Sequence, residues 1–350
     1  MKISEVNIAG RKIGAGAPAF LIAEVGINHN GELEKALEMV SVAKKSGADA
    51  VKFQTFRAAE FVGDAKMTFT YKSQGKEVTE SMLQMFQRYE LSAEAWKVIR
   101  KRCDEEGIIF LSTPQNRTDL DILLQVGVPA VKIGSDDFTN LPLLESYART
   151  GLPLIVSCGM SDLADAYKAL ETIGTYEGYP TVMLVCTSQY PTPPEQANLM
   201  RICALSQAFP GLPVGFSDHT QGVTAAVAAV ALGASVFEKH FTLSRDLPGP
   251  DHWFSEDPTT LTEWVKAIRD AEKMLGTGLV KPSPEEIKNK KEFQRVMVAA
   301  CPIAVGETFS ADNIMMRRMP GGAGFPPGIF SILKGKAARR TYQKGDIIEL

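Results

Sequence analysis

Short apolar runs recur through the first 240 residues of the 350-residue chain. Eight of them are rich in Val, Ile, Leu and Phe, and their apolar character is almost unbroken. They are FLIAEV (20–25), AVKFQ (50–54), IIFLS (108–112), AVKIG (130–134), PLIVS (153–157), TVMLVC (181–186), PVGFS (213–217) and SVFEKH (235–240). Runs of this kind are typical of parallel strands that are covered on both faces.

Helical patterns lie between these runs. In GELEKALEMVSVAKKSGADA, the residues Leu33, Leu37 and Val40 share one face, and the pattern ends at Gly47. Further helices are predicted over 93–106, 117–126, 140–150, 161–173, 195–208, 221–232 and 259–275. Eight strands that alternate with helices over about 250 residues predict a (β/α)8 barrel. A doubly wound open sheet is the alternative, but no GxGxxG follows the first strand and no Walker lysine is present.

Three segments stand apart from this alternation. The long interval 57–90 contains FTYKSQGKEVTES and predicts an insertion above a barrel that spans 1–278. Residues 279–293 read as a linker, in which Ser283, Pro284 and Glu286 begin a short charged helix. From 294 to 350, short strand-like runs (RVMVAA, IMMRR, DIIEL) are broken by Gly and Pro, which predicts a small, mainly β domain.

Composition and charge narrow the classes of function. The net charge of -3 gives no basic field for nucleic acid or for an anionic membrane. The longest apolar stretch, 223–237, is too short to span a bilayer. Five cysteines without metal-site spacing, together with an N-terminus that lacks a signal peptide, predict a cytoplasmic protein.

Polar side chains stand at the ends of all eight predicted strands. Barrel enzymes build their sites there. One polar residue at a strand end is ordinary, because strands end at the surface, but eight such ends together indicate a site. The residues are Glu24, Lys52, Gln54, Ser112, Thr113, Lys132, Ser135, Ser157, Thr187, Ser188, Tyr190, Ser217, Asp218, His219, Glu238 and His240.

Two lysines and two histidines suggest what the site binds. Lys52 and Lys132 interrupt apolar runs, where an unpaired charge is costly, and with the hydroxyls they suit a phosphate or a carboxylate. His219 and His240 end neighbouring strands, and neutral imidazole is a good ligand for divalent metals. Two protein ligands would leave positions open for water and substrate. The alternative is two ordinary hydrogen-bonded histidines.

Seven ordered motifs resemble the sialic acid synthases, that is, the N-acetylneuraminate synthases and their legionaminate, pseudaminate and spore-coat relatives. The motifs are IAEVGINHNG, VKFQTF, FLSTP, KIGSDD, CTSQYPTP, GFSDHT and EKHFT with PGPDH. The resemblance spans nearly the whole chain, and 294–350 resembles the family's antifreeze-like (SAF) domain. It implies condensation of phosphoenolpyruvate with an open-chain 2-acetamido sugar, with C–O cleavage and phosphate release. N-acetylmannosamine is the first expected sugar, and the 2,4-diacetamido-6-deoxy precursors of legionaminate or pseudaminate are the alternatives.

The resemblance also implies residue roles. His219 and His240 would hold a divalent metal, with Mn²⁺ expected first and Mg²⁺ or Co²⁺ as alternatives. Glu24 would transfer a proton, and Glu238 would orient the ligand shell or the attacking water. Phosphoenolpyruvate would be bound by Lys52, Thr113, Lys132, Ser135, Ser157, Ser188 and Ser217. The sugar would be bound by Gln54, Tyr190, Asp251 and Arg318.

Two positions depart from the family's pattern. Ser188 stands where sialic acid synthases commonly have Asn, and serine reaches less far towards an anion. The family's small domain sends an arginine, usually just before Pro-Gly, into the partner's barrel. Here the stretch reads RRMPGG, so Arg318 is the best match although Met319 separates it from Pro-Gly, and Arg317 is the alternative. The resemblance therefore implies a domain-swapped homodimer.

Two other functions compete with this interpretation. A Schiff-base aldolase would use Lys52 or Lys132 as the nucleophile, but it leaves the histidine pair unexplained. A non-catalytic carbohydrate-binding protein would have degenerate strand ends, whereas these ends match the family's pattern except at Ser188.

Overall fold

The eight apolar runs form the eight parallel strands of a barrel in the computed structural model, which describes residues 1 and 3–349. The strands are β3 (Phe20–Gly26), β4 (Ala50–Thr55), β7 (Ile109–Pro114), β8 (Val131–Ile133), β9 (Leu154–Ser157), β10 (Thr181–Cys186), β11 (Val214–Asp218) and β12 (Val236–His240). Their order is β7-β4-β3-β12-β11-β10-β9-β8, and β7 lies against β8 to close the ring. The prediction of a (β/α)8 barrel is confirmed.

Helices cover the outside of this barrel, and most of them match the predicted spans. They are α1 (Leu33–Lys45), α4 (Ala93–Glu106), α5 (Arg117–Val126), α6 (Leu141–Ala148), α7 (Leu163–Ile173), α8 (Pro194–Ala197), α9 (Arg201–Ala208), α10 (Thr224–Ala231) and α11 (Pro258–Leu275). The prediction of one helix over 195–208 is wrong. Asn198 has a φ of 42°, and this left-handed conformation ends α8 before α9 begins.

The barrel interior is apolar at its amino end. Alternate residues point inward, so Phe20 and Ile22 of β3 meet Ile155 of β9 and Val236 of β12 there. A hairpin of β1 (Glu5–Ile8) and β2 (Arg11–Gly14) packs on this layer. The hairpin was not predicted from the sequence, although the Ala9-Gly10 turn joins two short alternating runs.

The predicted insertion at 57–90 is a small substructure of its own. It consists of α2 (Ala58–Phe61), β5 (Thr68–Ser73), β6 (Lys76–Ser81) and α3 (Met82–Tyr89), with β5 and β6 paired antiparallel. The tip of the hairpin is held by two hydrogen bonds. Gln74 Nε2 donates to Asp246 O at 2.8 Å, and Gly249 N donates to Ser73 Oγ at 3.1 Å. The hairpin is therefore fastened to the loop that follows β12.

The chain divides into two units, Met1–Gly276 and Thr277–Leu350. The second unit contains α12 (Pro284–Phe293), β13 (Val296–Ala299), β14 (Ile314–Arg317) and α13 (Phe330–Leu333). Ser283 and Glu286 form a capping box at the start of α12. The prediction of a strand at DIIEL is wrong, since Ile347 makes one isolated bridge with Val298, and residue 350 lies outside the described residues.

Three-residue 3₁₀ helices occur at Thr175–Glu177, His252–Phe254, Pro320–Gly322 and Pro327–Ile329. Among the described residues, no helix combines the length and the apolar character needed to cross a membrane.

Candidate functional site

A pocket of about 1030 Å³ opens at the carboxyl end of the barrel strands. Every residue to which the resemblance assigned a role lines it, with the exception of Arg318, whereas the strand-end residues Ser112, Thr187 and Asp218 do not line it. Those lining residues are Glu24, Lys52, Gln54, Thr113, Lys132, Ser135, Ser157, Ser188, Tyr190, Ser217, His219, Glu238, His240 and Asp251. Arg318 belongs to the second unit, where its Nε donates to Phe293 O at 3.0 Å.

Strand register brings these side chains together. Inward-facing positions recur every second residue, so a strand that is apolar at its start can present a charge two or four residues later. In the parallel pairing, Glu24 lies beside both Lys52 and His240, and Ser217 lies beside Glu238. Residues more than two hundred positions apart in the chain thus become neighbours.

Lys52 forms the centre of the pocket floor. Its Nζ lies 2.8 Å from Glu24 Oε2 and 3.7 Å from Glu238 Oε2, and it donates to Thr113 Oγ1 at 3.0 Å. The lysine and both carboxylates are almost fully buried. A charged group in such a place needs partners, and here each has at least one of opposite sign.

Lys132 supplies a second buried ammonium. Its Nζ donates to Ser157 Oγ at 2.7 Å and to Ile133 O at 2.9 Å, and it lies 3.8 Å from Glu238 Oε1. Ser217 Oγ donates to the same Glu238 oxygen at 3.2 Å. Glu238 is therefore held between two cations, whereas Glu24 has only one close to it.

The two carboxyls differ in pKa as a result. Burial raises the pKa of Glu24 to about 7, although the nearby Lys52 lowers it. Burial also acts to raise the pKa of Glu238, but Lys132, Lys52 and His219 together outweigh it and hold that pKa below its ordinary value. Neighbouring carboxyls with opposed shifts are typical of a site that divides acid and base roles.

His219 and His240 face each other with ring centroids 5.3 Å apart. His219 Nδ1 lies 2.8 Å from Thr187 O, so this nitrogen carries hydrogen and donates, which leaves Nε2 with a free lone pair. His240 Nδ1 is buried and has no hydrogen-bond partner among the described residues. Burial, followed by the charge that His219 carries when it is protonated, lowers the pKa of His240 well below its ordinary value.

These two histidines fit part of a metal site. Across residues 1 and 3–349, no group of three or more His, Cys, Asp and Glu side chains is arranged to hold a metal. A cation here would have His219 and His240 as its protein ligands, with other positions left for water and substrate. The neutral ring of His240 and the tautomer of His219 suit that role.

Cys186 lies next to this pair and was not predicted as a site residue. Its Sγ is 3.8 Å from His219 Nδ1. Burial acts to raise the pKa of this thiol, but His219, Ser135 and Lys132 together outweigh it and bring the pKa to about 7. Burial acts to lower the pKa of His219, but Cys186, the Thr187 carbonyl and Glu238 together raise it above its ordinary value.

Small residues form one side of the floor. Gly159 N donates to Ser135 Oγ at 3.0 Å. A Cβ on Gly159 would lie 2.6 Å from the Oγ atoms of both Ser135 and Ser188, so a larger residue there would displace both hydroxyls. Ser188 Oγ is buried without a hydrogen-bond partner in the described chain. This hydroxyl is available to a ligand, which fits an anion site.

Glu24, Gln54 and Asp251 converge around Gly26. Gln54 Nε2 donates to Glu24 Oε1 at 3.2 Å. Gly26 has a φ of 55°, and a Cβ there would lie 3.3 Å from Glu24 Oε1 and 3.4 Å from Gln54 Nε2. Burial raises the pKa of Asp251 to about 6, against the opposing effect of His219. The cluster offers hydrogen-bond donors and acceptors to a polyol.

The remaining histidines lie outside the pocket lining. His252 is hydrogen-bonded through Nε2 to Asn30 Oδ1 at 3.0 Å and through Nδ1 to Thr242 Oγ1 at 2.7 Å. Gly31 N donates to His29 Nδ1 at 3.0 Å. Both histidines hold loops at the carboxyl end of the barrel.

The insertion, together with Phe56 directly before it, supplies an aromatic wall that was not predicted from the sequence. This wall consists of Phe56, Phe61, Phe69, Tyr71 and Phe86, all of which line the pocket. Ring centroids are 4.8 Å apart for Phe61 and Phe86, and 5.8 Å apart for Phe69 and Tyr71. The alternation in FTYK was the available signal, because it brings Phe69 and Tyr71 to one face of β5.

The aromatic wall is braced on two sides. Tyr71 OH donates to Glu80 Oε1 at 2.6 Å, and Arg88 donates to both oxygens of Glu80 at 2.7 and 2.6 Å. Lys72 Nζ lies 4.7 Å from the ring centroid of Trp253, another pocket residue. Further lining residues that were not predicted are Gln115, Asp136, Met160, Gln189 and Phe254.

Comparison with known proteins agrees with this barrel enzyme architecture. The chain matches the NeuB family over residues 39–280, and it belongs to that family. It is 39% identical over 336 residues to the N,N'-diacetyllegionaminic acid synthase of Legionella pneumophila, covering 95% of this chain and 94% of that protein. It is 34% identical over 343 residues to the N-acetylneuraminate-9-phosphate synthase of Mus musculus, covering 97% of this chain and 94% of that protein.

A solved structure shows the same fold. The N-acetylneuraminic acid synthetase of Leptospira borgpetersenii in complex with citrate superposes with a TM-score of 0.73 at 32% identity, covering 83% of this chain and 98% of that chain. The predictions of family and of enzyme class are confirmed. The protein is an enzyme of the nonulosonic acid synthase type.

Proposed function

We propose that the protein condenses phosphoenolpyruvate with an open-chain 2-acetamido sugar to form a nonulosonic acid and phosphate. One observation carries the proposal. Two buried ammonium groups, Lys52 and Lys132, flank the carboxylate of Glu238 in the same pocket as the His219 and His240 pair. An anionic substrate and an electrophilic sugar can therefore meet in a single site. The names of the relatives point to the same class of reaction.

Phosphoenolpyruvate binds to the floor in this proposal. Its phosphate and carboxylate are attracted by Lys52 and Lys132, because hydrogen bonds between ammonium groups and such anions are strong. The hydroxyls of Thr113, Ser135, Ser157, Ser188 and Ser217 complete the set of donors. The unpartnered Ser188 Oγ is one that ligand binding would satisfy.

The reaction forms a C–C bond at C3 and a C–O bond from water at C2, and it breaks the C2–O bond to phosphate. C3 of phosphoenolpyruvate attacks the aldehyde carbon of the sugar, and water adds at C2. The C2–O bond to phosphate then breaks, phosphate leaves with the bonding electrons and takes up the proton of the C2 hydroxyl, and a ketone remains at C2. Glu24, whose pKa is raised to about 7, can protonate the former aldehyde oxygen at neutral pH. Glu238 stays ionised and can accept a proton from the attacking water.

His219 and His240 hold a divalent cation in this proposal, with Mn²⁺ expected first and Mg²⁺ or Co²⁺ as alternatives. When bound, such a cation polarises the sugar carbonyl as a Lewis acid. The chain contributes the orientation of the two rings. Tyr190 packs 4.2 Å from His219 and 5.7 Å from His240, and Phe254 lies 5.2 Å from His240, all between ring centroids.

N-acetylmannosamine is the first acceptor to test, with Gln54, Tyr190 and Asp251 placed to bind its hydroxyls. The aromatic wall favours a second candidate, a 2,4-diacetamido-6-deoxy hexose. Such a sugar carries a methyl at C6 and a second acetyl methyl, and both gain from contact with aromatic faces. A 6-hydroxyl held against Phe61 and Phe86 would lose water without a partner there.

The proposal also covers the second unit. Residues 294–350 act as an antifreeze-like domain, and Arg318 reaches the sugar in the partner's barrel within a domain-swapped homodimer. Arg318→Ala is then expected to raise the KM for the sugar and to leave the KM for phosphoenolpyruvate unchanged. Arg317→Ala is the matched control. An effect seen only in Arg317→Ala would assign sugar binding to Arg317 instead of Arg318. The proposed location is the cytoplasm, as cysteine usage predicts.

The deciding experiment measures phosphate release from phosphoenolpyruvate with Mn²⁺, without sugar, with each acceptor, and again after EDTA. Sugar-dependent and EDTA-sensitive release supports the proposal, and the faster acceptor identifies the sugar class. EDTA-resistant turnover with borohydride trapping at Lys52 or Lys132 would instead indicate a Schiff-base aldolase. No release with either acceptor would count against the synthase reaction.

A further inference from the structure

Lys239 is a buried charge that the proposed mechanism does not use. Its neighbours Glu238 and His240 face the pocket, so Lys239 points to the outer side of β12. It is 2% exposed. Its Nζ lies 3.0 Å from Asp218 Oδ2 and 3.6 Å from Glu256 Oε1, and it also donates to Thr220 O. The ammonium group thus joins β12 to two further segments behind the wall of the site.

The first of these segments is the turn that carries His219. Asp218 Oδ1 accepts from Thr220 N at 2.9 Å and from Thr220 Oγ1 at 2.7 Å. Its Oδ2 accepts from Trp264 Nε1 at 3.2 Å as well as from Lys239. Both oxygens of Asp218 are therefore engaged, and the backbone on either side of His219 is held.

The second segment is the base of the loop after β12. Glu256 N donates to His240 O at 2.8 Å, and Thr242 N donates to Glu256 O at 2.8 Å. The carboxylate of Glu256 pairs with Arg245 Nη2 at 2.6 Å in addition to Lys239. The closed loop contains Asp251 and Phe254, and Phe254 packs on the His240 ring.

We propose that Lys239 is a positioning residue that sets the relative placement of His219 and His240 for the divalent cation. This inference rests on the proposed metal-dependent function. The four charges of Lys239, Asp218, Glu256 and Arg245 balance one another, and all except Arg245 are buried. Buried charges of this kind are often no more stabilising than apolar residues of the same volume. The contribution of the cluster is geometric, because each hydrogen bond fixes the position of one segment relative to another. The cluster ties together the two strands and the loop that surround the metal position.

The test measures equilibrium Mn²⁺ binding to the full chain by electron paramagnetic resonance of the free ion. Lys239→Met is expected to weaken Mn²⁺ affinity by about 10- to 100-fold, the usual cost of losing a group that orients metal ligands. Arg269→Met is the matched control. Arg269 also joins carboxylates, Asp49 at 2.8 Å and Glu272 at 3.0 Å, but it lies at the amino end of the barrel beside Ala19. It is expected to lower the melting temperature without weakening Mn²⁺ binding.

Trp264→Phe provides a milder variant if Lys239→Met fails to fold. It removes only the indole donor to Asp218, and a weakening of about three- to tenfold is expected, since one hydrogen bond to a charged group is lost. Wild-type Mn²⁺ affinity in Trp264→Phe and in folded Lys239→Met would overturn the positioning role, as would equal weakening in Arg269→Met. An unmutated protein that binds no Mn²⁺ would overturn the proposed metal site itself, which is a separate failure.

Discussion

The two ends of the barrel interior are built from the same strands but have opposite chemistry. At the amino end, inward-facing side chains are apolar and buried: Phe20, Ile22, Ala50, Leu111, Ala130, Ile155, Val182, Leu184 and Val236. One or two inward positions further along, the same strands present Glu24, Lys52, Thr113, Lys132, Ser157 and Glu238. Burial of apolar side chains at the amino end stabilises the fold, whereas the carboxyl end holds charges whose burial costs stability.

This difference separates stability from chemistry within one structural element. A change at the amino end should act on folding and leave the substrates' KM values alone. A change at the carboxyl end should act on activity with little loss of stability, because functional sites are rarely optimised for stability. Four experiments test this separation, in order of decreasing expected effect.

His240→Ala is expected to have the largest effect. The loss of one of two proposed metal ligands should lower kcat/KM by about a thousandfold or more, since the Lewis-acid contribution is worth several kcal/mol. Steady-state kinetics with Mn²⁺ measures the loss, and thermal unfolding should show little change. His219→Ala is the parallel variant. Full turnover by either variant in metal-free buffer would contradict the metal-site proposal.

Leu184→Ala tests the opposite end of the barrel. Leu184 is fully buried between the strands, and its truncation should lower the free energy of unfolding by about 3 kcal/mol. Urea denaturation measures the change. The KM for phosphoenolpyruvate should stay within about twofold of wild type, and a larger change in KM would show that the two ends are coupled.

His29→Gln tests how strongly acid lowers the free energy of unfolding through the carboxyl end of the barrel. All four histidines lie at this end, in or beside the loops. Burial, with a smaller contribution from His252, lowers the pKa of His29 to about 3 from an ordinary value of 6.5. The unfolded chain therefore binds a proton first, and the stability that His29 contributes is present above pH 6.5 and is lost as the pH falls towards 3. At pH 5 this loss is about 2 kcal/mol.

Denaturation of both proteins between pH 7.5 and about 4.5 measures this effect, because the pH span starts above the unfolded-state pKa of histidine. The free energy of unfolding should fall less steeply with acid in His29→Gln than in wild type. Parallel pH profiles for the two proteins would show that His29 is not the group responsible.

Ser188→Ala is expected to have the smallest effect. Its Oγ is buried without a partner among the described residues, so its removal should not destabilise the fold. The KM for phosphoenolpyruvate should rise about tenfold, which is the value of one hydrogen bond to a charged ligand. Initial-rate kinetics with the sugar at saturation measures it. An unchanged KM would remove Ser188 from the anion site.

Much of the barrel could be predicted from the sequence, and the reason is local. Fully buried parallel strands need nearly continuous apolar runs, and the eight runs were visible without knowledge of their partners. The break at Asn198 was missed, because a helical apolar pattern does not report one residue in a left-handed conformation. The strand predicted at DIIEL failed because Ile347 found only a single bridging partner, Val298.

The pocket was predicted less completely. Polar residues at strand ends could be identified because strand direction alone places them at one end of a barrel. The aromatic wall could not, since Phe61 and Phe86 meet only after the insertion has folded back on itself. The charged cluster around Lys239 was also out of reach, because its partners Asp218 and Glu256 lie on different segments.

The sequence by itself determined the type and number of the barrel elements and the residue types available at their carboxyl ends. Periodicity and burial act within one segment, so one segment is enough to read them. Only the tertiary structure decided which carboxyl meets two lysines and which meets one. Lys52 and Lys132 reach Glu238 across strands that are far apart in the chain. Those distances set the opposed pKa shifts of Glu24 and Glu238, because electrostatic interaction depends on separation and burial, and neither is encoded in any single run of residues.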